Sequence, residues 1–119
     1  MKLTNRELGN IGEDLAEKYL QDNGYLILDR NFRSNRVELD IIARDRNTLV
    51  FCEVKTRRSL AHGHPAEAIT ALKLEHIRTA AIGWMSSHRM SYSGIRFDAI
   101  EVRYASDGTS VINHIRAIG

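Results

Sequence analysis

The sequence predicts an α/β protein, with a central mixed sheet of about five strands flanked by helices in the order α-β-β-β-α-β-β. Three observations carry this reading. Apolar residues recur at helical spacing near the N-terminus and again after residue 70. Short apolar runs with strand alternation fill the stretches between and after. Turn signals separate those runs, without repeats, linkers or low-complexity tracts.

Thr4-Asn5-Arg6-Glu7 is a capping-box pattern, and Leu8, Ile11, Leu15 and Tyr19 follow at helical intervals, so a helix is expected over 5–22. Asn23-Gly24 ends it. Tyr25 to Leu28 is a short apolar run and a first strand, and Asn31 to Arg36 reads as polar and irregular. VELDIIA (37–43) alternates as a strand, Arg44 to Thr48 is a turn, and LVFCEVKT begins the next strand, which makes an antiparallel hairpin. Residues 57–68 hold the single proline and His62-Gly63-His64, and they read as a loop. Thr70 is a plausible N-cap for a second helix over 71–86, with Ile69, Leu72, Ile77, Ala80, Ala81 and Trp84 on its apolar side. Residues 95–104 and 110–117 are two further strands about the Asp107-Gly108 turn.

A chain of 119 residues suits one domain, 1–119. With 43% hydrophobic and 27% charged residues it is composed as a globular protein and not a disordered one. Cys52 is the single cysteine, which excludes an internal disulfide and suits a reducing compartment. The N-terminal segment is amphipathic and unlike a signal peptide, and no apolar run approaches the roughly 20 residues that span a bilayer. The expectation is a soluble cytoplasmic protein with no membrane partner. Net charge is only +2, but eight Arg and Lys residues face four carboxylates between Arg30 and Arg58. Positive charge is thus gathered around a strand that otherwise looks built for a core, a weak pointer to a polyanionic partner.

That strand, LVFCEVKTRR (49–58), carries Glu53 and Lys55 on one face. A two-residue turn at Arg46-Asn47 would set Asp40 opposite Glu53 and Glu38 opposite Lys55, with side chains about 4.5–5.5 Å apart at Cβ. One face would then hold Glu38, Asp40, Glu53 and Lys55. The other would hold Val37, Leu39, Ile41, Val50, Cys52 and Val54. Opposed carboxylates destabilise a sheet unless they share a proton, are neutralised by lysines or bind a cation. The plain alternative is a solvated face with a Glu38–Lys55 ion pair. His62 and His64 suggest a metal pair only weakly, Cys52 belongs with the core, and Tyr19 and Trp84 fit helix packing.

Asp40 followed by Glu53-Val54-Lys55 resembles the D…(D/E)XK core of the PD-(D/E)XK nuclease superfamily. The resemblance extends to its YraN-type bacterial branch through Gly12-Glu13-Asp14-Leu15-Ala16-Glu17-Lys18-Tyr19-Leu20, Arg30-Asn31-Phe32-Arg33, Val37-Glu38-Leu39-Asp40-Ile41-Ile42 and Val50-Phe51-Cys52-Glu53-Val54-Lys55-Thr56-Arg57. Lys73 and Arg96-Phe97-Asp98 also fit, so the likeness covers nearly the whole chain. It implies a restriction-endonuclease-like fold related to Holliday-junction resolvases, with Asp40 and Glu53 binding Mg²⁺ or Mn²⁺ and Lys55 positioning the attacking water. Glu13 would assist the metal; its other reading is a boundary glutamate. Arg33, Arg57, Arg58 and Lys73 would hold the nucleic-acid backbone, against the reading of solvated cations. Two departures stand out. Val37 replaces the family's glycine, and no glutamine follows E-x-K, since Gln21 is the single glutamine.

The leading expectation is a metal-dependent endonuclease acting on DNA more than RNA, branched or damaged DNA included, with a homodimer allowed by the resolvase likeness. The alternatives are a non-cleaving nucleic-acid-binding protein on the same fold and a protein-interaction subunit.

Overall fold

The computed structural model describes residues 2–58 and 69–119. Helix α1 (Asn5–Asp22) is followed by β1 (Leu26–Ser34), β2 (Val37–Asp45), β3 (Thr48–Arg58), α2 (Ala71–Ser87), β4 (Gly94–Tyr104) and β5 (Ser110–Ile115). The strands form one mixed sheet in the order β1-β2-β3-β4-β5. Strand β3 runs antiparallel to β2 and parallel to β4, with α2 in the connection between the parallel pair. The expected element order and five-stranded mixed sheet are both present. The expected His62-Gly63-His64 loop lies outside the described residues.

Local chemistry accounts for the element ends. Thr4 and Glu7 exchange side-chain and backbone hydrogen bonds at the start of α1, and Thr70 accepts the Lys73 N–H at the start of α2. Strand β1 is longer than the expected Tyr25–Leu28 and runs through the polar stretch that reads as irregular. A two-residue loop closes it onto β2, with both Asn35 and Arg36 at positive φ, the geometry that matches strand twist. Composition hides this hairpin, because Arg36 is not a usual residue for that conformation.

The helices cover opposite faces of the sheet. Ala16 and Leu20 of α1 pack with Ile41, Ala43, Val50, Cys52, Ile100 and Val102. Ile77, Ala80, Ala81 and Trp84 of α2 pack with Leu39, Ile42, Leu49 and Phe51. Leu72, assigned to the apolar side of α2 by its spacing, is instead 62% exposed, because its position falls in the first turn, outside this contact. Beneath α1, buried Asp98 accepts from Arg96, His114 and the Ala117 N–H, and His114 also bonds Tyr19. Among the described residues, no helix is long and apolar enough to cross a membrane.

Candidate functional site

The expected hairpin register is present from Asp45–Thr48 to Ile41–Cys52, where the β2–β3 ladder stops. Strand alternation also breaks at this point. Leu39 and Val37 pack on the α2 face, not with Ile41, Cys52 and Val54 on the α1 face as the alternating pattern implied. Asp40 turns toward α1, as does Ile41 beside it. Opposite this break in β1, Asn31 sits at φ 56°. Asparagine tolerates the left-handed region better than most residues. The two adjacent side chains Arg30 and Asn31 therefore both reach Glu13 on α1. The pairing register runs unshifted through this point, so the left-handed Asn31 and not an inserted residue re-aims the side chains toward one point.

Glu13, Glu38 and Asp40 converge there, with one carboxylate oxygen from each within 4.8 Å of the others. The Asn31 amide donates to Glu13 at 2.9 Å and to Glu38 at 2.7 Å. Arg30 bonds Asp14 at 2.7 Å and reaches Glu13 at 3.5 Å, tying α1 to β1. Gly12 allows the approach. A Cβ at that position would collide with the Thr56 side chain on β3, so only glycine lets α1 settle low enough to place Glu13 at the cluster.

Asp40 also accepts the Val54 N–H at 2.8 Å. Burial pushes its carboxyl up to about 8, with the charge of Glu53 adding to the effect and those of Glu13 and Glu38 contributing less. Burial likewise raises Glu53, against the lowering influence of Lys73, a hydrogen bond with Asp40, and Lys55. The Asp40 and Glu53 carboxyls thus meet at the fork between β2 and β3. Lys73 of α2 lies 3.6 Å from Glu53.

The structure places the other expected residues as follows. Lys55 pairs across the parallel ladder with Glu101. The expected Glu38–Lys55 pairing is replaced, because the break at Asp40 turns Glu38 to Asn31 and to Arg33, whose guanidinium is 3.3 Å away. Arg58 bonds Asn5 and the Leu3 carbonyl, clasping the start of α1. Arg57 is half-buried and pairs with Arg103 in the ladder. Glu38 joins Asp40 as the register expects, whereas Asn31 belongs to the cluster although spacing alone does not assign it there. The visible signal is Arg30-Asn31-Phe32-Arg33, whose second residue is one that accepts positive φ.

The family model described as "Uncharacterised protein family UPF0102" matches residues 12–102. Among curated relatives, a UPF0102 protein of Renibacterium salmoninarum is 43% identical over 98% of this chain and 98% of its own. One of Syntrophomonas wolfei is 45% identical over 93% and 96%, and one of Caldicellulosiruptor saccharolyticus is 48% identical over 84% and 85%.

Proposed function

The chain belongs to the uncharacterised protein family UPF0102, and from that footing we propose that it is a divalent-metal-dependent nuclease of the PD-(D/E)XK, restriction-endonuclease-like kind that hydrolyses phosphodiester bonds in DNA. One observation carries the reading: Asp40 and Glu53 meet at the fork of two strands, with Glu13 and Glu38 converging on Asp40.

The donor set fits Mg²⁺ or Mn²⁺. It is all oxygen and rich in carboxylate, which suits hard cations, whose remaining ligands are commonly water and substrate phosphate. Asp40 and Glu53 would hold the cation, with Glu13 and Glu38 beside them. When bound, a divalent cation supplies Lewis-acid polarisation of the phosphate and a more acidic water. Lys55 supplies a donor toward the water or toward charge developing on the phosphate. Lys73, on the α2 turn next to Glu53, and Arg33 at the rim of the cluster would hold neighbouring phosphates.

The test is a cleavage panel of single-stranded, duplex, flap and four-way-junction DNA together with RNA, in Mg²⁺ and then Mn²⁺, with Glu53→Ala beside the wild type. Cutting by the wild type that disappears in the variant supports the reading. No cutting of any substrate by the wild type rejects it in favour of a binding protein.

A further inference from the structure

Parallel pairing sets Glu53 beside Ala99, Lys55 beside Glu101 and Arg57 beside Arg103. Paired residues of neighbouring strands, about 4.8 Å apart, project to the same face. Glu101 is therefore the carboxylate next to Lys55 on the adjoining strand. It is only 7% exposed, and an acidic side chain is seldom so buried unless it is paired. One of its oxygens is accounted for: Oε1 accepts from Arg103 Nε at 2.7 Å. The other, Oε2, is buried and accepts no hydrogen bond among the described residues. A buried acceptor without a protein partner calls for an explanation, and a group that moves onto it when a ligand binds is one.

Lys55 is the ammonium beside Glu101 in the parallel ladder. As the side chains stand, Lys55 and Lys73 both lend positive charge to Glu53. Once Glu53 is engaged by a divalent cation, both ammonium groups lose this counter-charge and are repelled. Lys73, with a side chain 44% exposed, can turn into solvent. Lys55, half-buried on the central strand, has Glu101 one strand away.

We propose that Glu101 is the positioning residue for Lys55, its buried Oε2 receiving the Lys55 ammonium when Asp40 and Glu53 hold the cation. This rests on the nuclease reading of the same site. It makes the ammonium a fixed donor at the scissile phosphate, held from the side away from the carboxylates.

Two measurements on the full chain test it. The first needs no cleavage: NMR of the lysine Nζ–H groups, with the Lys55 signal identified by its loss in Lys55→Arg. Adding Mg²⁺ to the wild type should slow exchange of the Lys55 ammonium protons and sharpen that signal; in Glu101→Gln the signal should stay exchange-broadened. The second is cleavage, where Glu101→Gln should lower kcat roughly tenfold to a hundredfold through misplacement of Lys55. KM should be unchanged, Mn²⁺ affinity should fall severalfold because a contact made only in the cation-bound state favours that state, Glu101→Asp should recover part of the loss, and Glu101→Gln should add nothing in a Lys55→Ala background. A Lys55 signal that responds to Mg²⁺ alike in wild type and Glu101→Gln, or does not respond in either, overturns the proposal. A wild type that cuts nothing but shows the Glu101-dependent signal rejects the nuclease reading and retains the Lys55–Glu101 pairing.

Discussion

The Asp40 carboxylate takes the Val54 backbone N–H at 2.8 Å, two residues along β3 from Cys52, where the main-chain pairing of β2 and β3 ends. A side chain there does the work of a strand. It satisfies a backbone donor that the parting strands leave open, and it is itself fixed at the fork. The same bond favours the charged form of Asp40, but burial and the Glu53 charge outweigh it.

Asp40 therefore makes stability depend on pH in a defined direction. Between the ordinary Asp value near 4 and about 8, the folded chain keeps a proton that the unfolded chain has released. Its contribution to stability falls as pH rises through that window. Asp40→Asn should flatten this slope in urea denaturation measured at both ends of the window. Cation affinity should move the opposite way in the wild type, rising with pH as the proton is displaced.

Asp98 has the reverse sign. Burial alone would raise its carboxyl, but bonds from His114, Arg96 and the Ala117 N–H bring it down to about 2. The stability it contributes, about 2 kcal/mol, is present above the ordinary Asp value and is lost as pH falls through the folded one. Asp98→Asn should remove that part of the acid-denaturation profile. An unchanged profile would show that Asp98 is not a source of acid sensitivity.

Calorimetric Mn²⁺ titration separates the carboxylates. Asp40→Ala, at the junction of both groupings, should abolish binding while far-ultraviolet circular dichroism stays native. Glu38→Gln and Glu13→Gln should each weaken binding roughly tenfold to a hundredfold, the range for supporting groups of a metal site. Wild-type affinity in Asp40→Ala would remove the proposed centre.

Gly12→Ala should cost about 1–3 kcal/mol, as overpacking does. It should also lower Mn²⁺ affinity, because lifting α1 off Thr56 withdraws Glu13 from Asp40. Trp84, the single tryptophan and a buried one, reports the unfolding transition. Thr56→Ala in the same chain should restore part of both losses, since the Thr56 methyl and hydroxyl are two of the atoms in the way.

Arg33 is 71% exposed on the rim beside Glu38. Arg33→Ala should weaken DNA binding across sequences and reduce the slope of log affinity against log salt by about one. A slope equal to that of the wild type would place Arg33 away from phosphate.

Much of this architecture was readable along the chain. Helical spacing and the Thr4–Glu7 box located α1, and the Arg46-Asn47 turn set the β2–β3 register as far as Cys52. These features depend on neighbours in sequence, where period and capping chemistry act directly. The pairing of Asp40 with Glu53 followed from that register, although the backbone ladder itself ends one residue earlier.

What the chain alone did not show depends on departures from regular period. Strict alternation puts Leu39 with Ile41 and Glu38 with Lys55. The break at Asp40 and the positive φ of Asn31 turn Leu39 to α2 and Glu38 to Glu13. The fit of Gly12 against Thr56 and the parallel pairing of Lys55 with Glu101 join residues 44 or more positions apart. The sequence by itself thus determined the elements, their order and the chemical types at the site, because these follow from local pattern. Tertiary structure decided which further carboxylates join that pair and which cation each faces, because helix placement and the parallel crossover bring together segments whose spacing carries no mark of their contact.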